Sequence, residues 1–231
     1  MNNLAIIPAR GGSKRIPGKN IKDFLGKPVI VYSIEVALKS GLFNEVMVST
    51  DDEQIAEIAR KAGATVPVLR SQKNADDHAT LANVVLEVVD YYKNEGDSFD
   101  KICCILPTAP LISLDRLKEG FKLLTSIDYG SVIPVIPFSF PILRSFRIND
   151  NKLLELNWPE NFNKRSQDLP LSYHDSGSFY WADYEIFLKE KSLLTQSTGA
   201  IVLNEMEAQD IDTETDWKLT ELKYKLNHGQ D

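Results

Sequence analysis

Residues 6–20 read IIPARGGSKRIPGKN: an apolar run, then Arg10, Lys14, Arg15 and Lys19 around Gly11 and Gly12, with no acidic residue in the window. That combination suits an anion. Backbone N–H groups converge where a glycine-rich turn follows a strand, and glycine lets the chain approach a phosphate closely. Arg grips phosphate oxygens bidentately, while Lys adds a mobile point charge. The ordinary alternative is a solvated basic turn, the usual fate of a charge run. A second grouping, Gln209-Asp210-Ile211-Asp212, sets two carboxylates two residues apart, on one face if the segment is extended. Hard oxygen ligands of this kind suit Mg²⁺. Taken alone, the pair reads first as an acidic helix start, with Asp212 capping TETDWKLTELKYKL.

Two familiar phosphate motifs fail the test. A P-loop needs Gly-x4-Gly-Lys-[Ser/Thr], but Ser13 stands where the first Gly belongs and Asn20 fills the last position. Gly11-Gly12-Ser13 does not give Gly-x-Gly-x-x-Gly either. The histidines His78, His174 and His228 are scattered and show no zinc spacing.

The elements that must position these groups follow from periodicity. LAIIPA (4–9), EVMVST (45–50), TVPVLR (65–70), KICCIL (101–106) and SVIPVI (131–136) read as short buried strands. Helical patterns alternate with them at 28–41, 51–63, 81–94 and 113–126, with Ser113 as an N-cap. This alternation predicts parallel βαβ units in a doubly wound, mostly parallel α/β sheet of Rossmann type. After Pro137 the rhythm breaks. Residues 138–178 read as hairpin material plus a long loop, inserted into one domain spanning 1–231.

The chain has 231 residues and a net charge of −7, with 26 basic against 33 acidic side chains. That balance argues against general nucleic-acid binding. No apolar stretch approaches a membrane span, and no signal peptide is expected. Cys103 and Cys104 are adjacent, so they face opposite ways along a strand and are expected to be buried, unbridged thiols in a cytoplasmic protein.

IIPARGGSKRIPGKN resembles the signature of the sugar-acid cytidylyltransferases, which activate nonulosonic acids as CMP conjugates. VSTDD (48–52), LRSQKNADDHAT (69–80), PTAPL (107–111), RSQD (165–168) and QDIDTETDW (209–217) follow in that family's order, so the resemblance covers nearly the whole chain. RSQDLPLSYHDSGSFYW (165–181) is most similar to the branch acting on pseudaminic acid, with Ser176 in place of Ala and Ser178 in place of Gln. The resemblance implies that Arg10, Gly11, Gly12, Ser13, Lys14 and Lys19 wrap the CTP phosphates. Asn20 would sit near the nucleoside, and Arg70 with Ala79 near the cytosine. Asp210 and Asp212 would hold Mg²⁺, and Arg10, Lys19 and Asp212 would carry the catalysis. The sugar, a nine-carbon acid, would meet Leu106, Arg165, Gln167, Asp168, His174 and Asp175. A homodimer is implied, with 138–178 reaching towards the partner's site.

Overall fold

The computed structural model describes residues 1–76 and 79–229, so His78 lies outside the described residues. In chain order, β1 (Asn3–Pro8) leads through a long loop into a hairpin of β2 (Asp23–Phe24) and β3 (Lys27–Pro28), then α1 (Val29–Ser40). β4 (Glu45–Ser49), α2 (Glu53–Lys61), α3 (Leu81–Glu95), β5 (Lys101–Ile105), α4 (Leu114–Ser126) and β6 (Ser131–Pro137) follow. A second hairpin, β7 (Phe146–Ile148) and β8 (Leu154–Leu156), stands apart. The chain closes with β9 (Tyr173–Asp175), β10 (Phe179–Asp183), α5 (Tyr184–Glu190), β11 (Thr198–Val202) and α6 (Glu214–His228).

The main sheet runs β11-β6-β10-β5-β1-β4, with β9 paired to β6. β1 is parallel to β4 and β5, and β6 is parallel to β11; β10 lies antiparallel between β5 and β6. Helices cover both faces. Ile30, Ile34, Ile55, Ala59 and Leu117 from α1, α2 and α4 pack on one face against Ala5, Ile7 and Cys103. Val85, Val88, Val89 and Phe187 from α3 and α5 pack on the other, against Leu4, Ile6 and Cys104. The doubly wound sheet is therefore as expected, and so are two unbridged cysteines buried on opposite faces. Burial pushes both thiols up, Cys104 to about 12, which leaves them inert.

Local chemistry sets the helix ends. Asp52 accepts the N–H groups of Gln54 and Ile55 at the start of α2, and Ser113 accepts that of Arg116 at the start of α4. One expected strand is absent. Within 65–70 only Thr65 pairs, through a single bridge to Met47. Pro67, two residues on, has no N–H to continue a ladder. The inserted segment holds the expected hairpin, but near its end Tyr173–Asp175 runs back along β6 in the main sheet.

Candidate active site

In a doubly wound sheet ligands settle beyond the carboxyl ends of the strands, where the strand order reverses. Here the chain moves from β1 outwards to β4 and then crosses back to β5 on the other side of β1. The loops leaving β1 and β5 (residues 9–22 and 106–113) border a cleft of about 520 Å³. Arg10, Ser13, Lys14, Arg15, Lys19 and Asn20 line it from the first loop, and Leu106, Pro107 and Thr108 from the second. Arg70, Asn74, Asp76 and Ala79 add a third wall, and Asp210 and Asp212 a fourth.

The first loop is braced rather than loose. The Asn20 side-chain amide donates to the Arg10 carbonyl at 2.9 Å, and the Gly11 N–H donates to the Asp51 carboxylate at 3.0 Å. A β-carbon on Gly11 would sit 2.7 Å from the Asp52 carboxylate, so this close approach requires glycine. Arg10 Nη1 donates to the Asp76 carbonyl at 3.2 Å, joining the basic loop to the third wall. Arg70 is buried and donates Nε to the Ser49 hydroxyl at 3.0 Å. Burial lowers its pKa, with Asp51 and Glu87 opposing. It is therefore a structural cation as much as a ligand-facing one.

The carboxylate wall is built around Lys19, whose Nζ donates to the Ile211 carbonyl at 2.6 Å. Burial pushes the Lys19 ammonium below its ordinary value, and the carboxylates Asp212 and Asp210 pull it back. Desolvation raises the Asp210 carboxyl, and the neighbouring Asp212 adds repulsion. Asp212 itself pairs with Arg15. The helix cap weighed for Asp212 falls to its neighbour: Thr213 caps α6 and forms a capping box with Asp216. Asp212 is thus left to the cleft. Lys223 on α6 pins the preceding residues, donating to the Ala208 carbonyl at 3.0 Å and to Gln209 Oε1 at 2.9 Å. Among the described residues no group of three or more His, Cys, Asp or Glu side chains forms a ready metal cage. Two carboxylates beside a cationic loop nonetheless fit Mg²⁺, which is commonly bound through one or two carboxylates plus substrate phosphates.

The expected sugar residues divide. Leu106 lines the cleft, its N–H donating to the Ser178 carbonyl and its carbonyl accepting from the Ser33 hydroxyl, both at 2.8 Å. Asp175 is not part of the cleft lining: it accepts the Gly177 N–H at 2.8 Å and the Tyr180 hydroxyl at 2.5 Å. Gly177, at φ 63°, packs against Asp210. Arg165, Gln167 and Asp168 stand outside the cleft lining on the inserted segment, where Arg165 and Asp168 form a two-pronged ion pair at 2.9 and 3.2 Å. His174 is also exposed there, with its ring 4.9 Å from that of Phe138. Ser176 and Ser178 are buried and bond to each other at 2.6 Å, so neither hydroxyl serves the cleft. Sequence reasoning misses Asp51, Asn74 and Asp76 as contributors to the site. Asp51 lies in VSTDD just beyond β4, and Asn74 and Asp76 lie in LRSQKNADDHAT; both stretches stand out in the sequence, but neither marks these residues by type or spacing.

Residues 4–222 match the family described as Cytidylyltransferase. A pseudaminic acid cytidylyltransferase of Campylobacter jejuni is 41% identical over 228 residues, covering 99% of this chain and 98% of that protein. A CMP-N,N'-diacetyllegionaminic acid synthase of Legionella pneumophila is 36% identical, covering 98% of each chain. A solved CMP:2-keto-3-deoxy-manno-octonic acid synthetase, complexed with CTP, shares the fold at a TM-score of 0.71 with 16% identity, covering 99% of this chain and 100% of that one. The basic loop after β1, the carboxylate pair before α6 and a match over nearly the whole chain lead to one conclusion: this chain belongs to the cytidylyltransferase family.

Proposed function

We infer that this chain transfers CMP from CTP to a nonulosonic sugar acid, pseudaminic acid, with release of pyrophosphate. The observation that carries this reading is the cleft, where a cationic loop faces two carboxylates across Lys19. The sugar's anomeric hydroxyl attacks the α-phosphorus, the bond from that phosphorus to the bridging oxygen breaks, and pyrophosphate departs. Arg10, Lys14 and Lys19 draw in the triphosphate and stabilise charge growing on the leaving group. Asp210 and Asp212 would hold Mg²⁺, which supplies Lewis-acid polarisation of phosphoryl oxygens when bound. Held in line, the two substrates ask little covalent chemistry of the protein. Two buried thiols and a nucleotide co-substrate support a cytoplasmic setting. The acidic balance supports small-molecule rather than nucleic-acid partners.

Leu106 supports the choice of sugar. Leucine cannot hydrogen-bond, so a hydroxyl held against it is desolvated without a partner, at a cost of about 1–3 kcal/mol. Pseudaminic acid ends in a methyl group where N-acetylneuraminic acid carries a hydroxymethyl. In a competition assay following pyrophosphate release, pseudaminic acid is expected to be preferred by roughly ten- to a hundredfold. Equal or better use of N-acetylneuraminic or legionaminic acid overturns the sugar and leaves the general reaction standing.

The inserted segment supports a homodimer. Phe140, Ile148 and Leu171 on or beside its hairpin are 84%, 70% and 73% exposed, more apolar surface than so small a unit can cover by itself. The exposed Arg165, Gln167, Asp168 and His174 would then meet the sugar across the interface. Light scattering at micromolar concentration is expected to give twice the 26.0 kDa chain mass. An active monomer rejects the arrangement.

A further inference from the structure

The third wall of the cleft differs in kind from the basic loop. Ala79, Leu81 and Val84 are apolar, and Arg70, Asn74 and Asp76 stand among them. Such a surface matches the flat faces and polar edge of a nucleobase. Glu87 on α3 does not line the cleft, yet its carboxylate holds this wall together. One oxygen accepts the Ser71 N–H at 2.7 Å, and the other accepts the Ser71 hydroxyl at 2.9 Å and also the Asn74 side-chain NH₂. Burial alone would raise the Glu87 carboxyl, but these bonds outweigh it and hold the group below the ordinary value.

The bond to Asn74 decides an orientation. A carboxylate only accepts, so the Asn74 amide must turn its NH₂ to Glu87. The carbonyl oxygen Oδ1 is then the amide atom left over, on a residue that lines the cleft. We propose that Glu87 is a positioning residue for base selection: it fixes Asn74 as an acceptor, which takes the 4-amino group of cytosine and refuses the 4-oxo group of uracil. Two facing acceptors leave both without a proton, whereas an amino group satisfies Oδ1. This assignment rests on CTP as the co-substrate.

Equilibrium titrations with CTP, UTP and inorganic tripolyphosphate test it, using the full chain, Glu87→Gln, Asn74→Ala and the double variant. Gln at 87 offers both a donor and an acceptor, so Asn74 loses its single orientation. Glu87→Gln is expected to lower the CTP-to-UTP affinity ratio about tenfold, in line with one buried polar mismatch, while tripolyphosphate binds as before. Asn74→Ala should lower the ratio similarly, and the double variant no further than either single change. A ratio preserved in Glu87→Gln overturns the assignment alone. So does an equal loss of all three ligands, which would mark Glu87 as merely structural. A wild-type chain with no preference for CTP overturns the proposed reaction as well.

Discussion

Replacing Lys19 by Ala is expected to lower turnover at saturating CTP by about 10²–10³-fold, roughly 2.7–4 kcal/mol of lost electrostatic stabilisation. Two effects coincide in this residue. In the proposed reaction its ammonium would face the charge that develops on pyrophosphate, and its bond to the Ile211 carbonyl braces the segment that carries Asp210 and Asp212. Burial already lowers its pKa, so the folded chain tolerates an awkward cation for the sake of the site. Stability should therefore change little while the rate falls. Pyrophosphate release measured beside a thermal melt separates the two, and wild-type turnover in the variant would remove the basic loop from the mechanism.

Asp210→Asn and Asp212→Asn are each expected to abolish Mg²⁺-dependent activity, with opposite side effects on the fold that are both small. Desolvation and the repulsion of Asp212 disfavour the charged Asp210 carboxyl, so removing its charge should leave the melting temperature equal or higher. Asp212 loses its exposed pair with Arg15, a contact worth about 0–1 kcal/mol, together with its attraction to the Lys19 ammonium. Thr213 still caps α6 in both variants. Activity titrated against MgCl₂, read with thermal melts, decides the matter. Activity that survives both substitutions overturns the metal assignment.

The parts of the fold written in periodic apolar patterns are legible in the sequence. Val29–Ser40, Leu81–Glu95 and Leu114–Ser126 fall within a residue or two of their expected bounds, because a buried stripe and a terminal cap both leave marks in sequence. TVPVLR misleads because β-branched residues around Pro67 resemble a strand, although proline interrupts the ladder after Thr65. Tyr173–Asp175 reads as loop for the converse reason. All three residues are exposed, so the strand shows no apolar alternation, and its place is set by pairing with β6. The hairpin at Asp23–Pro28 also escapes the pattern. Its turn uses Leu25 at φ 51° and Gly26 at φ 97°, and leucine gives no warning of that conformation.

Within the site, the cationic loop and the carboxylate pair are clusters of like charge close together in sequence, and such clusters announce themselves. Glu87 and Asn74 do not. They lie thirteen residues apart on different elements, and only tertiary packing brings a helix carboxylate to a loop amide. Asp212 is ambiguous in sequence for a specific reason. Asp and Thr are both good caps, and the choice between adjacent residues depends on which backbone turns first into the helix.

The antiparallel strand β10 has a consequence for how the chain is made. β1, β4 and β5 join as neighbours, and all three have been synthesised once residue 105 leaves the ribosome. β6 comes next in sequence but cannot join them, because β10 must lie between it and β5. Until Phe179–Asp183 emerges, the nascent chain carries an extra open sheet edge at β5 and an apolar strand, β6, not yet joined to it. Unpaired edges of this kind are hazards for aggregation. The late arrival of one short segment therefore joins β6 to β5, with β11 added to β6 later still, so the inserted segment at 138–178 sets the waiting time during translation.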